Sequence, residues 1–392
     1  MNATITPPQR LASLDAFRGF AIAGMVLVNN PGDWNALYPP LAHAAWNGWT
    51  FTDWIFPFFL FIAGVSMTIS LDARAAAGAS RRTLAMTMAR RAALIIAIGL
   101  LLNLVPRFDF ASLRIAGVLQ RIGLCVLLAT PIVLACRWRG VLAWLVGLCA
   151  LYSVLMLAVP VPDAQGMVAA GVLEPGRDFG AWLDRALLSG HLWAASRTWD
   201  PEGLVSTLPA AGTLLSGVLT GRFLAAAPRP GLSLDVHKTE QTVWLLLAGL
   251  ALLWLGEAMD GLFMPINKSL WTPSYMVFMD GWALLVFGAF HWLLDAAPQA
   301  RLRGASARCF KPLVIYGMNA LFIFAVSGLV AKLMLFFKVG EPLQSLKAWA
   351  YAPIQALPLA PRNASLLWAL LFNGAMFALA WWLWRRRWFF KA

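Results

Sequence analysis

His43 and Asp53 stand ten residues apart in HAAWNGWTFTDWIFPFFLFIAG (43–64), a titratable ring and a carboxylate at the mouth of an apolar run. An imidazole can accept a proton or attack a carbonyl carbon near neutral pH, and a neighbouring carboxylate can orient it. From Ile55 to Val65 the residues are almost all apolar. Asp53 is therefore expected where a helix enters lipid, with His43 in the short polar loop before it. Charge at that depth is costly and most often functional. The preceding apolar segment carries Asp15, Arg18 and Asn29. Arg18 and Asn29 are eleven residues apart, which returns them to one helix face ~16 Å apart along the axis. Asp15 lies one turn before Arg18 and can pair with it, so the plainer alternative is an anchor pair plus a helix-ending asparagine.

Four further groups of polar residues interrupt apolar sequence. In RIAGVLQRIGLCVLLATPIVLAC, Arg114 and Arg121 are seven apart and are expected to share a helix face. Arg121 is too deep to reach water easily and has no acid on its own helix, so it needs a carboxylate such as Asp15 or Asp53, or an anionic ligand. Residues 161–205 form the longest polar stretch, with Asp163, Glu174, Asp178, Asp184, Asp200 and Glu202 among Trp182, Trp193 and Trp199. Tryptophan faces beside carboxylates can hold a cationic amine or a sugar ring, and equally they form an interfacial belt. MPINKSLWTPSY adds Asn267 and Lys268 as polar lining. In IYGMNALFIF, Asn319 is expected inside an apolar helix, bonding across helices or lining a cavity.

The elements that position these groups follow from composition. Of 392 residues, 60% are apolar and only 12% charged, which excludes an ordinary water-soluble globule. The chain reads as an all-α polytopic membrane protein, a single domain over 1–392, with about ten spans near residues 20, 62, 97, 124, 150, 215, 249, 282, 324 and 375. Alternate connections are rich in arginine: 74–91, 137–139, 222–238 and 301–311, with Arg10 and Arg18 at the start and Arg385, Arg386, Arg387 and Lys391 at the end. Most of the 31 lysines and arginines thus fall on one side, which the positive-inside rule makes cytoplasmic. Both termini are then cytoplasmic, and the His43 loop and residues 161–205 face outward. The net charge of +13 is scattered in short clusters, so no nucleic-acid surface is expected. The first apolar segment lacks a small-residue cleavage site and is expected to remain as the first span. The four cysteines offer no exported pair and no metal-ligand spacing, so neither a disulfide nor a metal is expected.

In order from Leu11, the stretches SLDAFRGFAIAGMVLVNN, HAAWNGWTFTDWIFPFFLFIAG, RIAGVLQRIG, WDPEG, PINKSLWTPSY and GMN resemble the transmembrane acyltransferases typified by heparan-α-glucosaminide N-acetyltransferase and its bacterial relatives. The resemblance covers nearly the whole chain. It implies that His43 is the catalytic histidine, that Asn29 and Asp53 are its companions, and that acetyl-CoA is the acetyl donor, presented from the cytoplasm. Arg18 resembles the arginine that broader transmembrane acyltransferases place near CoA. Tyr316 stands where the animal relatives would have proline. Their lumenal N-terminal domain has no counterpart in these 392 residues, so the expected acceptor is a bacterial envelope amino sugar or glycan, and the expected location a bacterial inner membrane. Bacterial relatives are also linked with N-acetylglucosamine transport, which keeps a sugar transporter as the alternative. A homodimer is one assembly open to such a chain.

The residues suit acetyl transfer. Attack of an amine or hydroxyl on a thioester needs a base for the departing proton and a donor for the carbonyl oxygen, and His43 and Asn29 are of those types. Alternatively, His43 attacks the thioester and holds the acetyl group itself. The CoA phosphates need inner-side cations, for which Arg18, Arg90 and Arg91 are available, while Arg121 is expected along the path of the pantetheine arm. Asp200, Glu202, Asn267, Lys268 and Asn319 are expected to line the acceptor site.

Overall fold

The computed structural model describes residues 11–390. Arg10 and Lys391, counted above among the cytoplasmic cations, lie outside the described residues. Helices run in the order α1 (Ala12–Asn29), α2 (Phe51–Ala76), α3 (Arg81–Leu104), α4 (Val118–Ala135), α5 (Trp138–Ala158), α6 (Phe179–Leu188), α7 (Thr207–Leu224), α8 (Leu234–Leu262), α9 (Pro273–His291), α10 (Ala300–Cys309), α11 (Lys311–Gly317), α12 (Ala320–Phe336), α13 (Leu346–Gln355) and α14 (Pro361–Arg385). Two short antiparallel ribbons, Val161–Pro162 with Val168–Ala169 and Lys338–Val339 with Gln344–Ser345, decorate the loops. Several starts carry their own caps: Ser80, Ser233 and Thr272 accept from the N–H groups of Thr83, Val236 and Tyr275, satisfying donors that a helix leaves open.

Among the described residues, eight helices are long and apolar enough to cross a membrane, or nine if α11 and α12, bent by 78° at their junction, count as one span. The expected span near residue 215 falls on α7, which is not one of them. Its sequence, TLPAAGTLLSGVLTGRFL, trades bulky apolar residues for Gly, Ala, Ser and Thr, yet it is largely buried. The reason is packing. Gly64 of α2 and Gly217 of α7 face each other so closely that a Cβ on either would lie 2.0 Å from a backbone oxygen of the other helix, Leu214 or Phe61. Gly19 and Gly317 do the same for α1 and α11, at 1.8 and 2.1 Å. Lipid tails are as apolar as leucine, so helix association in a bilayer rests on such van der Waals fit, which small residues permit.

Two expectations are corrected. Asn319 lies at the break between α11 and α12 and not within a helix; its amide donates to the Trp388 carbonyl (3.1 Å) and accepts from Phe390 N–H (2.9 Å). Arg114 shares no helix face with Arg121, because α4 begins only at Val118, after Gly117.

Candidate active site

Asp53 is the third residue of α2, and its two oxygens have separate partners. Oδ2 accepts from the backbone N–H groups of Ala44 (3.1 Å) and Thr50 (3.0 Å) and from the Thr50 hydroxyl (3.2 Å), a capping box that folds the 43–50 loop onto the helix start. Oδ1 is then left for His43, whose Nδ1 lies 2.7 Å away. The carboxylate is almost fully buried, whereas the imidazole is 47% exposed. Opposite it, Lys268 brings its ammonium 3.0 and 3.2 Å from the two ring nitrogens and 3.6 Å from Asp53 Oδ1. Burial pulls the Lys268 ammonium below its usual range, against the attraction of Asp53 and Glu202.

The two loops are locked together. Gly48 N–H donates to Ile266 O (2.7 Å), and the buried Asn267 amide donates to Asn47 (3.0 Å) while accepting from Leu270 N–H (2.9 Å). Asn267 therefore acts as a clip beside the site, its amide already committed. From α9, the Tyr275 hydroxyl donates to the Asp53 carbonyl (2.7 Å). Asn29 is exposed at the end of α1 and makes no hydrogen bond to His43 or Asp53 among the described residues.

Asp200 and Glu202 approach this cluster from residues 161–205. Arg114 takes both: Nε and Nη2 meet Asp200 at 2.8 and 2.6 Å, and Nη2 meets Glu202 at 2.5 Å. Burial works against the Arg114 charge, but the two carboxylates outweigh it and raise its pKa. Arg121, fully buried on α4, donates through Nη2 to Gly203 O (3.1 Å) and to the Ser206 hydroxyl, and lies over the Trp271 ring at 5.3 Å. It joins the outer cluster and not the inner cations. Trp199 packs between Trp46 and Trp193 at 5.2 and 5.7 Å.

Asp184 gives this region a pH dependence. Burial pushes it from 3.8 up to about 6; the Leu204 N–H at 2.9 Å pulls it down and nearby Asp200 pushes it up. Between those values the folded protein keeps a proton that the unfolded chain has released. Stability therefore falls as pH rises, by about 3 kcal/mol once pH exceeds 6. Asp184→Asn, which keeps an acceptor for Leu204, is expected to flatten the drop in melting temperature between about pH 4 and pH 7. An unchanged drop would remove Asp184 as its source.

A second charged cluster lies at the other end of α2. Arg18 Nη1 meets Asp15 at 3.0 Å and Nη2 donates to Ser66 (2.9 Å); Arg91 lies within electrostatic range of Arg18 and Arg74. Arg90 is exposed on the adjoining face of α3. Thirteen residues of α2, ~20 Å, separate Ser66 from Asp53. Asn319 is remote from the His43 cluster: it binds the chain just past the end of α14, while Ser365 near the start of α14 meets Asp33, and twenty helical residues between them span ~30 Å. Sequence reasoning did not join Lys268 to His43, which is 225 residues away; the signal available was a lysine between Pro265 and Trp271 in a loop poor in other charge.

A helical membrane protein with an imidazole, a carboxylate and an ammonium at the mouth of its bundle, and cations one helix length away, falls among polytopic proteins with an embedded site. Comparison with known proteins narrows this. Residues 10–255 match the family model described as heparan-alpha-glucosaminide N-acetyltransferase, catalytic, and the chain belongs to that family. It is 30% identical over 365 residues to heparan-alpha-glucosaminide N-acetyltransferase of Homo sapiens, covering 81% of this chain and 52% of the human protein. The Mus musculus protein of the same name is 27% identical over 377 residues, covering 80% and 53%. The chain thus spans about half the length of the curated relatives it matches.

Proposed function

We propose that the protein is a membrane-embedded acetyltransferase that moves the acetyl group of cytoplasmic acetyl-CoA to an amino sugar or glycan amine at the outer face of the membrane. The observation that carries this reading is the His43 ring, 2.7 Å from Asp53 and 3.0 Å from the Lys268 ammonium. With Nδ1–H donating to Asp53, the Nε2 lone pair takes the proton of the acceptor amine as its nitrogen attacks the thioester carbonyl carbon. Lys268 donates to the carbonyl oxygen as charge develops there, the role for which residue type and the family resemblance offered Asn29. The C–N bond forms, the C–S bond breaks, and the imidazolium returns the proton to the departing thiolate. Free CoA thiol and an acetamide result.

The donor's path is supported by the seam between α1, α2 and α9. Trp54 and Trp282 stack there at 4.4 Å, and their buried indole N–H groups have no hydrogen-bond partner among the described residues. A pantetheine arm carries two amide carbonyls that can accept from them. At the inner end, Arg18 and Arg91 suit the CoA phosphates. The reading takes ten spans, counting the bent pair and the buried α7, so both termini share the cytoplasmic side of a bacterial inner membrane.

Inside-out vesicles, given labelled acetyl-CoA outside and glucosamine within, are expected to accumulate labelled amide inside and release one free thiol per transfer. Arg18→Ala is expected to raise the KM for acetyl-CoA about tenfold, the worth of one charge-assisted contact. Sugar movement without thiol release would replace the enzyme with a transporter. Transfer only when donor and acceptor share the outer face would overturn the sidedness.

A further inference from the structure

Arg121 is 1% exposed, and only Nη2 of its guanidinium is used: Nε and Nη1 have no hydrogen-bond partner among the described residues. Donors of a buried cation left unmet are costly, since they have lost water and gained no acceptor. The nearest acids do not relieve it, because Asp200 and one oxygen of Glu202 are spent on Arg114. The surroundings hold Arg121 in place. Its guanidinium covers Trp271, whose backbone is left-handed at φ 50°, a strained state for a bulky residue. Trp271 meets Tyr275 edge-on at 5.3 Å, and Tyr275 reaches the backbone of Asp53. Lys268 is within electrostatic range of Asp53, Glu202 and Arg121 together. Arg121 is thus linked to the His43 cluster through two rings, Trp271 and Tyr275.

We propose that Arg121 and Glu202 form the hydroxyl-reading part of the acceptor site, together taking one ring hydroxyl of an amino sugar whose amine faces His43. A hydroxyl oxygen accepts from Nε–H or Nη1–H of Arg121, and its hydrogen donates to the Glu202 oxygen that Arg114 leaves open. A hydroxyl both accepts and donates and so meets the Arg121 donors and the Glu202 oxygen together, whereas a ligand carboxylate or phosphate has no hydrogen to give Glu202. The ligand is therefore a neutral polyol carrying an amine. This inference rests on the acetyltransferase reading for its chemistry, but not for its binding step.

The test compares glucosamine with its 3-deoxy and 4-deoxy analogues, using purified parent protein and the Arg121→Gln and Arg121→Lys variants. Arg121→Gln is expected to raise the KM for glucosamine about tenfold or more, the worth of a charge-assisted hydrogen bond, with the KM for acetyl-CoA changing less than about twofold. With the parent, one deoxy analogue is expected to lose a similar factor; with the variant, removing the same hydroxyl changes little, since the contact is already gone. Equal increases in both KM values, or parent protein indifferent to both missing hydroxyls, would overturn the assignment. If neither variant folds, the analogues on the parent decide it. If no acetyl transfer occurs, calorimetric binding of glucosamine to the parent, weakened by the deoxy change, still supports the subsite and separates its fate from that of the enzyme.

Discussion

Replacing His43 with asparagine is expected to lower acetyl transfer by about 100-fold or more while leaving the protein folded. The fold should survive because the imidazole is half exposed and the loop around it is held by other groups: Asp53 Oδ2 grips Ala44 and Thr50 whether or not a ring sits on Oδ1. Asparagine keeps a polar group within reach of Asp53 but can neither take a proton near neutral pH nor attack a thioester. A single-turnover experiment separates the two roles that histidine can fill. If the ring is only a base, acid-quenched protein carries no label from acetyl-CoA; if it is the nucleophile, label appears on the protein before it appears on the acceptor, and the loss in the variant is larger still. An asparagine variant that turns over nearly as fast as the parent would make His43 an interfacial side chain and would move the chemistry elsewhere.

Gly64→Ala is expected to abolish the folded protein. The added methyl would sit 2.0 Å from the Leu214 carbonyl oxygen and 2.8 Å from Val218 N, and backbone cannot move aside as a flexible side chain can. Separating α2 from α7 opens the centre of the bundle, where Phe61, Leu214 and Val218 are fully buried. Overpacking of this kind costs about 3 kcal/mol or more. Size-exclusion of detergent extracts should show the monodisperse peak lost for Gly64→Ala and for the reciprocal Gly217→Ala. Gly328→Ala and Gly374→Ala, each with open space at the new carbon, serve as controls and should elute as the parent. A monodisperse Gly64→Ala protein would mean that α2 and α7 do not cross at these glycines.

Apolar runs and arginine-rich connections are local signals, and each of the ten centres read from them lies in a helix. The link between His43 and Asp53 was legible for the same reason: ten residues of loop and helix start leave little freedom. Lys268 was visible only as polar lining, because its place over the imidazole depends on Gly48 meeting Ile266 and Asn47 meeting Asn267, contacts between loops distant in sequence. The Arg114 pairing with Asp200 and Glu202 has the same character, and reading RIAGVLQRIG as continuous helix concealed it. Asn319 was misplaced because an apolar run says nothing about a break: α11 ends at Gly317, and the chain bends by 78° before α12 begins at Ala320.

The divided duty of Asp53 also constrains descent. One oxygen belongs to folding and the other to His43, so a lineage that abandons the chemistry cannot shed the carboxylate without unfastening the start of α2. Decay would have to begin at His43 or Lys268, and a retired descendant would keep its aspartate as a fossil of the site. On the proposed function, an aspartate kept at this position would speak for the fold alone, and it is the pair His43 and Lys268 whose loss would mark a chain that has given up the chemistry.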